Sequence, residues 1–229
     1  MKIWLFDIDG TLIVSGGAGQ EAAFSTLTDS FGVVELKRDP IRFAGRTDRA
    51  ITRDLFEAHQ IAVTEENWLR FRDAYLKHLQ TFLAERPGEV LIGVQEAIGQ
   101  LHACPHSHLG LLTGNLEAGA ESKLRHYDLW HYFDFGGYGD HHTSRNHVAK
   151  TALESARAHL QKSIAPRDVW VIGDTANDIR CAKAIGANSV AVATGGFPIE
   201  ELAEEKPDVL LADLSPSKIV DTLLRAQSS

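Results

Sequence analysis

Apolar residues follow two alternating rhythms along this chain. Short runs rich in β-branched and aromatic residues predict buried strands over 3–6, 108–113, 132–136, 168–173, 188–193 and 208–211. Between them, apolar residues recur at helical spacing. Residues 20–32 carry Ala23, Phe24, Leu27 and Phe31 on one face, with Gly32 as a stop. Residues 48–59 carry Ile51, Leu55 and Phe56. Thr64-Glu65-Glu66-Asn67 predicts the start of a long helix, with Trp68, Phe71, Tyr75, Leu79 and Phe82 in a stripe that serves packing. Further helices are predicted over 93–103, 117–126, 144–161, 177–185 and 215–226, the third turning Val148, Ala152, Leu153, Ala156 and Leu160 inward.

Strand and helix alternate from residue 93 onward. That pattern predicts an α/β fold: a Rossmann-like parallel sheet with helices on both faces. Residues 15–86 break the alternation. They are helical throughout, yet they interrupt two strands of one sheet. They are expected to form an inserted helical cap, leaving 1–14 and 87–229 as the core. The glycine-rich loop Gly16-Gly17-Ala18-Gly19 and the pair Pro87-Gly88 supply the two hinges.

Polar residues change the picture at two strand ends. The first strand runs into Asp7-Ile8-Asp9-Gly10-Thr11. Ligands of open α/β sheets bind at that end of a strand. Strand alternation would put Asp7 and Asp9 on one side. Carboxylates this close need a cation or a shared proton. The run Val169-Trp170-Val171-Ile172 ends in Gly173-Asp174-Thr175-Ala176-Asn177-Asp178. Two apolar strands ending in carboxylates suggest one metal site. Asp178, in the first turn of the next helix, can point back at it or simply favour that helix N-terminus. A third strand ends in Thr113-Gly114-Asn115, where exposed N–H groups and the Thr113 hydroxyl suit phosphate; helix capping is the alternative.

These motifs, in this order, resemble those of the haloacid dehalogenase-like hydrolases: Asp-x-Asp-Gly-Thr at Asp7–Thr11, a strand ending at Thr113, and Gly-Asp-x-x-x-Asp at Gly173–Asp178. The resemblance implies a Mg2+-dependent phosphatase for a small phosphorylated metabolite, with phosphoglycolate phosphatase the nearest label and nucleotide or sugar phosphates next. It makes Asp7 the nucleophile and Asp9 the group that protonates the leaving alcohol, a role needing a raised pKa. It implies that Mg2+ contacts the Asp7 carboxylate, the Asp9 backbone carbonyl and Asp174, with Asp178 acting through water. Thr113, Gly114 and Asn115 would hold phosphate. The family's third motif, a lysine often followed by proline, is not matched. Arg145 and Lys150 are the candidates. Arg145 is favoured, because Ser144 would cap the helix and leave it in the first turn, while Lys150 faces away from Val148. Arg46, beside Thr47 and Asp48 in the cap, could read substrate, although Thr47 or Asp48 could equally be just a helix cap. Dehalogenases and phosphonatases of the group lack a carboxylate at the Asp9 position. A phosphosugar mutase keeps it, and a non-catalytic binding protein is the alternative from another class.

Composition narrows the partners. A formal net charge of -8 over 229 residues disfavours nucleic acid. No stretch has the ~18 apolar residues of a membrane helix. Two cysteines in no spaced motif and no leader pattern suggest a cytoplasmic protein. The clusters His102, His106, His108 and His141, His142, His147 lack zinc spacing with cysteines and are expected at the surface. Oligomeric state has no signature in the sequence.

Overall fold

The structure is a computed structural model and describes residues 1–39 and 41–215. The first strand, β1 (Lys2–Phe6), is buried from Ile3 onward. The chain then turns at Gly10 and passes through β2 (Ile13–Val14) into three helices, α1 (Ala18–Phe31), α2 (Asp48–Ala58) and α3 (Glu65–Glu85). It returns through β3 (Glu89–Val90) to α4 (Val94–Ala103), β4 (Ser107–Leu112), α5 (Glu117–His126), β5 (Phe135–Gly137) and α6 (Arg145–Leu160). Then come β6 (Val169–Gly173), α7 (Ala176–Ala184), β7 (Asn188–Val192), α8 (Ile199–Glu204) and β8 (Val209–Leu211).

Six strands form one sheet in the order β5-β4-β1-β6-β7-β8, and every neighbouring pair is parallel. From β1 the chain winds outward through β4 to β5, then crosses to the other side of β1 and winds outward through β6 to β8. This doubly wound order opens a crevice at the C-terminal ends of the central strands. Alternation along β1 divides the core. Trp4 and Phe6 pack with Val94, Ile98 and Leu101 of α4 and Leu124 of α5. Ile3 and Leu5 pack with Val148 and Ala152 of α6 and Ala182 of α7. Helices α1 to α3 hold a separate core of Phe24, Leu27, Leu55, Phe56, Phe71 and Leu79, joined by Leu116 from the sheet side.

Five features depart from the pattern read along the chain. The strand expected over 132–136 begins at Phe135, because Trp130–Tyr132 closes into a 3-10 turn. On α3 the buried stripe ends at Leu83, with Phe82 only partly covered. The two passages joining α1–α3 to the sheet pair as an antiparallel ribbon, Ile13 with Val90 and Val14 with Glu89. Two-residue strands are too short to show a period, and α8, at six residues, is hardly longer. Ser144 takes the extended conformation ahead of α6, but its side chain makes no capping bond. The helix expected over 215–226 lies outside the described residues but for Ser215. Among the described residues, no helix is long and apolar enough to cross a membrane.

Candidate active site

Strand pairing builds the centre. Phe6 of β1 sits opposite Ile172 of β6, and the Asp7 N–H extends the ladder with a 2.9 Å bond to the Ile172 carbonyl. The residues that follow these two strands therefore emerge side by side. Asp7, Asp174 and Asp178 are all buried, and one carboxylate oxygen from each lies within 4.8 Å of the others. The Thr11 hydroxyl donates to Asp174 at 3.0 Å. Asp178 turns back toward this cluster and also closes the start of α7. One oxygen accepts from the Thr175 N–H at 3.0 Å and its hydroxyl at 2.6 Å, closing a capping box on α7. The other accepts from the Arg145 guanidinium.

Arg145 is the first residue of α6 and reaches under the strand ends, only 7% exposed. It donates to Asp7 at 3.3 Å and to the Leu112 carbonyl at 3.3 Å, besides Asp178. Its Nε is buried without a hydrogen-bond partner. Lys150 is exposed on the outer side of the same helix.

Burial raises Asp7 to a pKa of about 6; Arg145 opposes the shift, and the Asp178 and Asp9 carboxylates reinforce it. Asp174 is pushed up to about 8 by burial and then by Asp178 and Asp7. Arg145 is held firmly protonated, since the attraction of Asp7 and Asp178 outweighs the effect of burial. Three clustered carboxylates facing one guanidinium make an all-oxygen donor set with unbalanced negative charge. That chemistry fits a hard divalent cation. Among the described residues no other group of three His, Cys, Asp or Glu side chains converges in this way. The histidine clusters thus do not form a second centre there.

Asp9 departs from two expectations. It lies beyond the end of β1, where strand alternation no longer holds, and its carboxylate turns toward α5. It accepts from Lys123 Nζ at 2.6 Å and Asn115 Nδ2 at 2.9 Å. Its pKa is lowered, not raised: burial pushes it up, but the Lys123 charge and hydrogen bonds from Lys123, Asn115 and Ser15 together prevail. The cation that separates the two carboxylates is thus, for Asp9, a lysine side chain. Lys123 also donates to Asn115 Oδ1 at 2.7 Å, and Asn115 Nδ2 donates to Thr113 Oγ1 at 2.8 Å. Sequence reasoning missed Lys123. The signal was a lysine inside the apolar stripe of α5, three residues after Ala120 and seven after Leu116.

The loop at Thr113-Gly114-Asn115 also differs from the open anion cradle expected of it. The Asn115 N–H donates to Thr113 Oγ1 at 3.3 Å. The Leu116 and Glu117 N–H groups donate to Asp48 at 2.8 Å and Asp140 at 2.9 Å. Asp48 belongs to α2, so the helical unit caps a helix of the sheet region across the crevice. Its own N–H donates to the Gly114 carbonyl at 2.8 Å. The approach is so close that a Cβ on Gly114 would fall 1.9 Å from the Arg46 carbonyl oxygen. Thr47 caps α2 by accepting from the Ala50 N–H at 3.2 Å. Burial raises the Asp48 carboxyl to about 6 against the opposing pull of Lys123 and the Leu116 N–H.

Between these parts lies a cavity of about 430 Å³. Asp7, Asp9, Asp174, Thr113, Gly114, Asn115, Lys123 and Arg145 line its floor, and residues of α1 to α3 its roof. Arg46 reaches the wall, but its guanidinium pairs with Asp54 at 2.7 Å and bonds the Arg42 and Ala50 carbonyls. Gly195, after β7, presses on Asp174 so tightly that a Cβ there would overlap the carboxylate.

A doubly wound sheet with clustered carboxylates at its switch point, roofed by a helical unit, defines a capped α/β enzyme of the carboxylate-centred type. The chain belongs to the haloacid dehalogenase-like hydrolases, whose family model matches residues 4–192. It is 26% identical over 201 residues to a phosphoglycolate phosphatase of Chromobacterium violaceum, a match spanning 85% of this chain and 86% of that one. In fold it is similar to CbbY from Rhodobacter sphaeroides, solved in complex with phosphate, with a TM-score of 0.76 and 20% identity over 95% of this chain and 96% of that chain. A hydrolase from Pseudomonas syringae superposes with a TM-score of 0.73 and 19% identity over 98% and 99% of the two chains.

Proposed function

We propose that this protein is a magnesium-dependent phosphatase that hydrolyses a small phosphate monoester through an aspartyl-phosphate on Asp7. The carrying observation is the convergence of Asp7, Asp174 and Asp178 beside Arg145 on the floor of a roofed cavity. The phosphatase name of the Chromobacterium relative and the phosphate in the Rhodobacter structure support it.

Asp7, Asp174 and the Asp9 backbone carbonyl would hold magnesium, with Asp178 behind them. Bound there, the ion would offset charge on the phosphate oxygens and on Asp7. The chain's own groups account for the other roles. Arg145 holds the Asp7 carboxylate in place and sets a fixed positive charge beside it. Thr113 is placed beside Asp7 and orders Asn115. Gly114 and Asn115 line the phosphate side of the cavity. Asp7 attacks phosphorus in line, and the ester oxygen departs. Asp9 gives that oxygen its proton and later takes one from the attacking water. In the free protein Lys123 keeps Asp9 ionised; a phosphate dianion arriving beside it would raise its pKa toward that task. Residues 15–86 act as the cap, carrying the roof over the site and excluding water. The two free cysteines of the chain, Cys104 and Cys181, suit a reduced, cytoplasmic setting.

Phosphate release from p-nitrophenyl phosphate tests this directly. Turnover with magnesium, loss of turnover with chelator and inactivity of Asp7→Asn are expected. Equal turnover by Asp7→Asn would overturn the assignment. Return of phosphate to a sugar, without release, would instead make it a mutase.

A further inference from the structure

The roof of the cavity contains little that could hold a second charged group of the substrate. Phe71 and Tyr75 of α3 stack with ring centroids 6.0 Å apart and planes 10° from parallel, and both line the cavity. Ile51, Phe43 and Ala23 continue this apolar wall. Among the described residues three cations reach the cavity, and each already has a carboxylate partner. Arg145 pairs with Asp7 and Asp178, Lys123 with Asp9, and Arg46 with Asp54. Asp48 adds another carboxylate to the wall. The start of α1 faces the cavity too, but through Gly17, Gly19 and Gln20 it brings no charged side chain, and Glu21 of that first turn is paired with Arg38 and Arg86. A carboxylate on the leaving alcohol would thus enter a chamber of aromatic faces and like charges. It would have to leave water without a free cation to meet it.

We propose that the leaving group this cap accepts is an uncharged apolar or aromatic alcohol, held against Phe43, Ile51, Phe71 and Tyr75, and not a carboxylate-bearing alcohol such as glycolate. This rests on the phosphatase reading for the phosphate half of the substrate and adds the chemistry of the other half. An aromatic ring fills such a wall by area burial and stacking, neither of which needs a charge partner. A cavity of about 430 Å³ has room for a ring and a phosphate.

Two non-hydrolysable ligands that differ only in the group beyond the phosphonate test it: 2-phenylethylphosphonate and 3-phosphonopropionate. Calorimetric titration of the full chain in magnesium buffer is expected to give a Kd for the phenyl ligand about tenfold lower. Phe43→Ala, at the partly exposed edge of the wall, should shrink that ratio by weakening the phenyl ligand. Gln20→Lys, which adds a cation at the exposed rim, should shrink it by strengthening the carboxylate ligand. Equal or tighter binding of 3-phosphonopropionate, or no binding of either ligand, would overturn the proposal. Turnover of benzyl phosphate and phosphoglycolate is measured alongside. If neither ester is cleaved while the binding preference holds, the phosphatase reading fails and the preference stands. If phosphoglycolate is cleaved with the higher kcat/KM, the phosphatase reading stands and the preference fails.

Discussion

Asp7 and Asp9 stand two residues apart, at the centres of two polar networks that meet at Thr113 and Asn115. Asp7 faces α6 and α7, among carboxylates, with one arginine for company, and its pKa rises to about 6. Asp9 faces α5, where an ammonium and an amide grip it, and its pKa falls. Asp7 is buried and Asp9 half-exposed to the cavity, yet desolvation pushes both carboxyls upward. The counter-ion decides the sign. The Asp7 side is short of positive charge and suits a cation; the Asp9 side is already neutralised and suits proton exchange once a phosphate disturbs the balance.

The sharpest way to break this contrast is Asp7→Asn, which keeps the shape and removes the nucleophile. Phosphatase turnover is expected to fall by about 10³-fold or more, with unchanged circular dichroism. Asp9→Asn should also abolish turnover but leave magnesium binding to the Asp7 side largely intact. Comparable loss of magnesium affinity in the two variants would erase the distinction.

Arg145→Ala comes next. It strips the single cation from the Asp7 side and leaves Asp7 and Asp178 facing each other. Turnover should drop about 10²-fold and stability by about 3–5 kcal/mol in chelator, because a buried pair loses one partner. Magnesium should restore more stability to this variant than to wild type. Lys150→Ala, at an exposed site, should stay within about 0.5 kcal/mol and keep full activity. Equal, wild-type-like activity in both variants would remove Arg145 from the site.

Lys123→Met works on the other network. Releasing Asp9 from its ammonium should raise the Asp9 pKa and move the limb of the pH–rate profile it controls to higher pH, with kcat down about tenfold. A profile of unchanged shape with lower amplitude would mean that Lys123 only supports the fold.

The smallest effect is thermodynamic. Asp7 and Asp174 hold protons in the metal-free folded state at pH values where the unfolded chain, with a carboxyl pKa of 3.8, has released them. Folding then binds protons, so the metal-free protein should lose stability as pH climbs from about 4 to about 8. Magnesium displaces those protons, and its stabilising effect should grow across the same window, reaching about 5 °C in Tm at the upper end. A magnesium shift that is flat with pH would show that the raised carboxyls are not the cation's ligands.

Much of the frame was legible because it is written in local pattern. The run from Ile3 to Phe6 has no polar residue and can only be a strand covered on both faces, and the alternation after residue 93 leaves few topologies open. The carboxylates at the ends of β1 and β6 were visible for the same reason, since a strand end is a local event. The β2–β3 ribbon was not visible, because two residues carry no period. Nor was the occupied state of the Leu116 and Glu117 N–H groups, because their partners, Asp48 and Asp140, come from remote segments.

The sequence by itself determined the strands of the large sheet, the longer helices and which carboxylates leave that sheet at its C-terminal edge, since those depend on residues a few positions apart. Only the tertiary structure decided that Asp9 is held by Lys123, that Arg46 is spent on Asp54, and that the roof is aromatic. The first depends on where segments more than a hundred residues apart come to rest, and all three on charge, packing and desolvation, which act through space and leave no period in the chain.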